Sequence, residues 1–353
     1  MSLVLRPRLE TSRRLRVAVP IASVAVAVAV WSILLVAGGK DPVDAFGRMA
    51  RGAFGTSWGL SETLVRATPL LLCAASVALA ATMSLWNVGA QGQLLAGAIA
   101  ASWVALQGPS LPPAGTVLLM FALAMAAGAL WATFAGALKA WLDVDEILTT
   151  LMLNYVAADV VLWLVQGPWR NPRGNPESPL FPPAAELARL GFGRLHVGAV
   201  LAPILVLALA LAVRRSVWGY ELRVIGDAPA TARYGGIRVR RRVVAVMAVA
   251  GALAGLAGAI EVAGLGHKLH PDVAPGYGYT AILVCWLARK DLLGLVPAAV
   301  LFAGLLVAGE ELQVALGLPA AVVKVLQALV VLALLAGDIL VTHRLALDRK
   351  DPS

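Results

Sequence analysis

The sequence predicts an all-α polytopic membrane protein with about ten transmembrane helices. Composition is the first reason. Of 353 residues 60% are hydrophobic and 14% charged, and mean hydropathy is +0.82, whereas a soluble domain carries about 25% charged residues. Run length is the second. Apolar stretches of 17–25 residues recur along the chain, long enough to cross a bilayer as helix and unlike the alternating ten-residue strands of a membrane barrel. The third is the placement of the cations. The net charge is +9, which in so apolar a chain reports loops obeying the positive-inside rule and not a nucleic-acid partner.

Taken in order, residues 1–16 form a basic N-terminus with Arg6, Arg8, Arg13, Arg14 and Arg16. A run from Val17 to Gly38 follows. It is too long for a signal-peptide core and reads as a retained first span. Residues 39–61 are mixed, and suit a short interfacial helix with Phe54 and Trp58 at headgroup depth. Further spans are expected near 62–85, 89–107, 114–137, 147–166, 196–213, 243–265, 275–288, 292–309 and 322–339. Residues 17–339 thus form one transmembrane domain, and 340–353 a short cytoplasmic tail. With both termini cytoplasmic, nineteen of the 29 Lys and Arg fall in inside segments and nine outside, which supports that orientation. Residues 167–195 contain GPWRNPRGNPESPLFPP, irregular backbone that belongs outside the hydrocarbon.

The most informative segment is the long inside loop, 214–242. Asp227 is placed to cap a short helix with Pro229 in its first turn. Ala228 to Tyr234 favours helix, and Gly235-Gly236 supplies a left-handed stop. Two readings fit: a solvated loop anchored by arginines, or a rigid docking helix that transmits a soluble partner's motion.

Polar groups within apolar text need a reason. Asn87, Gln91 and Gln93 cluster with Gly89 and Gly92. Either they line a solute pathway at a broken helix, where amides donate and accept hydrogen bonds, or they form a short turn between the second and third spans. Thr150 and Asn154 are i and i+4 and share a helix face, with Tyr155 beside them. That face suits the pathway or interhelical hydrogen bonding. Glu261 follows Gly251, Gly255 and Gly258. A proton-relay role for it would make the chain an ion-coupled secondary transporter, the alternative function.

The two cysteines, Cys73 and Cys285, sit inside apolar runs, and the four histidines form no ligand pair. No metal and no cofactor are expected. G-x-x-x-x-G-K-[ST], H-E-x-x-H and G-x-S-x-G are all missing from the sequence, so no catalysis is expected in the chain and energy must come from elsewhere.

Four stretches then resemble one family. Gly219-Tyr220 through Arg223, with Ile225-Gly226-Asp227-Ala228-Pro229-Ala230-Thr231-Ala232-Arg233-Tyr234-Gly235-Gly236-Ile237, looks like the coupling loop of permeases in the ribose, branched-chain amino acid and nucleoside importer superfamily. Leu85-Trp86-Asn87-Val88-Gly89-Ala90-Gln91-Gly92-Gln93, the stretch from Glu146 to Tyr155, and Gly276-Tyr277-Gly278-Tyr279-Thr280-Ala281-Ile282 resemble signatures of its nucleoside, simple-sugar-like branch. The resemblance runs from about 55 to 337. It implies a type II-like ABC importer permease bundle in the bacterial inner membrane. Its implied partners are cytoplasmic ABC ATPase subunits, a second permease subunit forming a heterodimer, and an extracytoplasmic solute-binding lipoprotein, with membrane lipid around it. It also implies that Gly226, Asp227, Pro229, Ala232, Arg233 and Gly236 couple to the ATPase. The sequence departs from the family pattern at Gln91, where Glu is common, and at Trp86, where Phe is common. It departs again at Cys285-Trp286 and Arg289-Lys290-Asp291.

Overall fold

The computed structural model describes residues 2–7, 13–172, 174–319 and 321–348. Arg8, Arg173, Arg349 and Lys350, counted in the loop charges above, lie outside the described residues. The chain is all-helical apart from one antiparallel ribbon of β1 (Ser2–Pro7) and β2 (His343–Asp348).

The helices are α1 (Arg13–Ala37), α2 (Pro42–Phe54), α3 (Ser57–Ala81), α4 (Ala90–Gln107), α5 (Pro113–Leu142), α6 (Glu146–Gln166), α7 (Gly198–Arg215), α8 (Val217–Asp227), α9 (Pro229–Tyr234), α10 (Val239–Glu261), α11 (Tyr277–Leu287), α12 (Leu295–Leu316) and α13 (Ala321–Thr342). Each of the ten expected spans is occupied by a helix. Among the described residues seven are long and apolar enough to cross a membrane: α1, α3, α5, α6, α7, α10 with the turn after it, and α12.

Two expectations on spans need correction. Residues 275–288 do not form a crossing of their own. α11 has 11 residues, about 16 Å at 1.5 Å per residue, half a bilayer core. A π-turn at Val262–Gly266 and left-handed residues at His267 and Gly276 hold residues 267–276 out of helix. The span expected at 292–309 is instead Leu295–Leu316 and takes in Glu310 and Glu311, which read as a span end in the sequence.

The chain divides into two compact units, residues 57–304 and residues 1–56 with 305–353. In the smaller, α1 packs on α13, and the ribbon brings the two ends of the chain together. Trp31 donates its indole N–H to the Val322 carbonyl at 3.0 Å and packs on Phe46. The interfacial helix expected at 39–61 is α2, capped by the Asp41 carboxylate, which accepts from the Val43 N–H at 2.9 Å. It buries Ala45, Met49 and Ala53, one residue per turn, and leaves Phe54 exposed.

The larger unit is organised around α10, which packs on α5, α4 and α3. The contact is made by glycines. A side chain at Gly97 would strike the backbone of Gly255, and one at Gly251 would strike that of Gly128. Helix axes this close gain dispersion contacts and lose no side-chain entropy, the main source of adhesion where lipid removes the hydrophobic drive. The 167–195 segment folds onto the turn after α10. Ser178 N–H donates to Leu269 O at 2.8 Å and Phe181 N–H to His267 O at 2.8 Å. Arg194 pairs with Glu62 at the start of α3, and Lys268 with Glu177 at 2.5 Å.

Candidate functional site

Two clusters of polar side chains stand out within the larger unit. One is a buried amide network where α4 and α11 begin. Asn87, Gln91, Gln93, Thr150 and Asn154 are all buried. Asn87 Nδ2 donates to Gln93 Oε1 and to Ser76 Oγ, both at 3.1 Å, and Gln93 Nε2 returns a bond to Asn87 Oδ1 at 2.8 Å. Gln91 reaches the other way. Its Nε2 donates to the Ala274 carbonyl at 2.7 Å, and its Oε1 accepts from the Gly278 N–H at 2.9 Å. It thereby satisfies one of the four N–H groups left unpaired in the first turn of α11. Asn154 Oδ1 accepts from the Gly92 N–H at 2.8 Å, and its Nδ2 donates to Val88 O at 3.0 Å and to the Tyr279 hydroxyl at 3.3 Å. Gly89 and Gly92 admit this close approach, since a Cβ on Gly89 would lie 2.9 Å from Thr150 Cβ.

The structure therefore brings five of the six sequence-named amide and hydroxyl residues together and leaves the sixth apart. Tyr155 is 59% exposed on the outer face of α6. The Leu85–Gly89 stretch is a connecting turn, and the residues after it reach the start of the half-span α11. Glu261 is buried near this core, within electrostatic range of Arg66 and Arg194.

The second cluster is the block formed by α8 and α9. Here the sequence expectation needs correction, because Asp227 does not cap the short helix. It ends α8, a helix the charge pattern concealed, and Ala228 occupies the N-cap of α9 with no side-chain bond. Ser216 caps α8 instead, its hydroxyl accepting from the Gly219 N–H at 3.1 Å. Pro229 takes the first position of α9, where its missing N–H costs nothing. The left-handed stop is Gly236 at φ 78°, while Gly235 is right-handed.

The block is braced on three sides. Arg242 pairs with Glu221 at 2.5 Å, and Arg223 donates to Val213 O at 2.7 Å. Gly226 lies against the Thr82 carbonyl, with its own carbonyl accepting from Ser84 Oγ at 3.0 Å. Ala232 is the buried anchor of α9. Asp227, Pro229, Arg233 and Gly236 are exposed, and Tyr234 is 96% exposed. Sequence reasoning gave Tyr234 no role; an aromatic ending a short helix just before two glycines and a row of arginines was the available signal.

A third set was noted in the sequence only as departures from the family pattern, without its pairing. Trp86 stacks on Trp286, ring centroids 5.6 Å apart, and Lys290 Nζ lies 4.9 Å from the Trp286 ring. Glu146 Oε1 accepts from the Trp86 N–H at 3.4 Å, while Oε2 pairs with Lys139 at 3.2 Å.

Residues 59–335 match the family described as the permease component of the branched-chain amino acid transport system. The chain belongs to that family. This permease is 37% identical to a glucose ABC transporter permease protein of Haloferax volcanii over 99% of its own length and 96% of the relative's. It is 31% identical to a guanosine ABC transporter permease protein of Bacillus subtilis, covering 89% of this chain and 91% of that one. A nucleoside ABC transporter permease protein of Lactococcus lactis is 28% identical over 90% of each. These three relatives fall in the nucleoside and simple-sugar branch that three of the stretches indicate. The permease is a multi-pass inner-membrane protein and the membrane component of an ABC transporter.

Proposed function

We propose that this permease carries nucleosides or simple sugars inward through the cell membrane, driven by a separate cytoplasmic ATPase. Its expected partners are a second, different permease chain and an extracytoplasmic solute-binding lipoprotein. The observation that carries the reading is the α8–α9 block. A short helix presents Pro229, Arg233 and Tyr234 outward, and its base is tied to the end of α3 through Gly226 and Ser84. A rigid body built this way passes on a push where a flexible loop would absorb it. Gly226, Asp227, Pro229, Ala232, Arg233 and Gly236 form the coupling surface.

Asn87, Gln91, Gln93, Thr150 and Asn154 enter the proposal as the pathway set, and Tyr155, on the outer face of α6, drops out of it. Amides bonded to one another in this state can exchange those bonds for the hydroxyl and amide groups of a solute when the bundle opens. The names of the relatives support nucleosides and sugars as the solute class.

The test is uptake in proteoliposomes holding the full complex. Pro229→Gly combined with Ala232→Asp should dislodge α9 and cut solute uptake per ATP at least tenfold while the permease still inserts. Unchanged uptake would overturn the coupling reading, and full uptake without any ATPase would favour an ion-coupled carrier.

A further inference from the structure

Beside the coupling block, the end of α5, α9 and the start of α10 enclose a cavity of about 820 Å³. Its walls carry Lys139, Arg233, Arg238, Arg240 and Arg241 against a single acid, Asp143. Lys139 is held by Asp143 at 3.2 Å and by Glu146. The four arginines have no ion pair among the described residues. Like charges gathered on one wall repel, and Asp143, the one acid in the lining, is paired with Lys139.

The rest of the lining is apolar: Ala140, Trp141, Val239 and Val243. Trp141 is 57% exposed, and it continues an exposed apolar stripe on α5 through Leu130 and Phe134. Those positions are four and seven residues apart, one helix face. Every other residue of that stripe is hydrocarbon-loving, so it faces lipid. The cavity therefore opens where a lipid-facing face ends in a tryptophan and meets a row of arginines. That is the arrangement of a membrane interface on the cytoplasmic side.

We propose that this cavity binds the headgroup of an anionic phospholipid of the inner leaflet. The arginines take the phosphate oxygens, and Trp141, Val239 and Val243 take the glycerol and first acyl methylenes. Arginine suits a phosphate because its planar fork makes two parallel hydrogen bonds to it. A nucleotide or free phosphate would use the arginines and leave the apolar rim wet. An acidic surface of a soluble partner would not need a rim continuous with the lipid-facing stripe. A bound lipid would brace α10 and α9 together and make transport sensitive to membrane composition. This inference does not depend on which solute is carried.

The experiment uses the whole purified permease with its partner subunits in detergent. Retention of phosphatidylglycerol and of phosphatidylcholine is read by native mass spectrometry, with and without inorganic phosphate as competitor. The wild type should retain phosphatidylglycerol in preference, undisturbed by millimolar phosphate. Arg240→Gln with Arg241→Gln should weaken that retention about thirtyfold, since each basic residue near an anionic headgroup is worth about one kcal/mol. Equal retention of the two lipids, or displacement by free phosphate, overturns the proposal. So does a double variant that keeps its lipid but sheds its ATPase, which would make the cavity a protein dock. Arg240 and Arg241 lie on α10, outside the coupling surface, so lipid retention and coupling are read on different residues and the two readings fail separately.

Discussion

Trp86 lies on Trp286, their ring planes 29° apart, although two hundred residues of chain separate them. Both are positions where the sequence departs from the family pattern, and the two departures answer one another in space. Offset stacking of this kind contributes about 1 kcal/mol beyond buried area. A double-mutant cycle with Trp86→Phe and Trp286→Leu, read by thermal unfolding in detergent, should return a coupling of about 1 kcal/mol. A coupling of zero means the rings are neighbours only.

Asn154 ties three elements together, with bonds to Gly92, Val88 and Tyr279. Asn154→Leu leaves the Gly92 N–H and the Val88 carbonyl buried and unpaired. The expected loss of stability is about 2–4 kcal/mol. Chemical denaturation of the detergent-solubilised protein measures it, and a loss below about 1 kcal/mol would show that water replaces the side chain.

Gly255 meets α4 and α5 together, with backbone on both sides. Gly255→Leu should force α10 away from both helices and abolish the monodisperse peak in size-exclusion chromatography. Gly115, where a Cβ would make only ordinary van der Waals contacts with Leu111 and Pro112 at 3.4 Å or more, is the control: Gly115→Ala should change nothing. A well-behaved Gly255→Leu protein would mean that the seam is looser than its geometry.

His196 is buried before α7, and its Nδ1 finds no partner among the described residues. Burial, with the nearby His267 second, pushes its pKa down to about 4. The folded value lies below the ordinary one near 6.5, so the unfolded chain takes the proton first. Stability from this site is intact above about pH 6.5 and is lost as pH falls towards 4, up to roughly 3 kcal/mol. His270, also lowered by burial, adds in the same direction. Glu177 is held below the usual carboxylate range by Lys268, so it stays ionised through most of that window. Hydrogen exchange over residues 187–197 should accelerate between pH 6.5 and 4.5, and His196→Asn should remove most of the acceleration. An unchanged slope in that variant would assign the effect to other groups.

Tyr234 has almost its whole side chain in water. Tyr234→Ala should leave stability unchanged and weaken ATPase association about tenfold, as expected for an aromatic anchor of an interface. Titration of the ATPase subunit onto immobilised permease measures it, and equal affinity would remove Tyr234 from the coupling surface.

Seven long apolar helices were legible because the length of apolar text reports on the solvent, while the 11 residues of α11 are too few to cross. The coupling segment was legible as a unit, but Asp227 was given a cap it does not form. Arginines spread through 214–242 hid α8, whose buried face is only Gly219, Leu222 and Ile225. A helix paired to its neighbours through Glu221–Arg242 and Gly226–Thr82 leaves no strong period in the text.

Hydropathy and charge decided that this chain lives in a membrane and where its seven long apolar helices fall, among the described residues, since each follows from transfer energies that add residue by residue. Folding decided the rest. Gln91 meets Gly278, Asn154 meets Gly92, and four arginines gather against Trp141 because helices distant in sequence pack side by side. Such pair energies depend on distances that no local window of sequence contains.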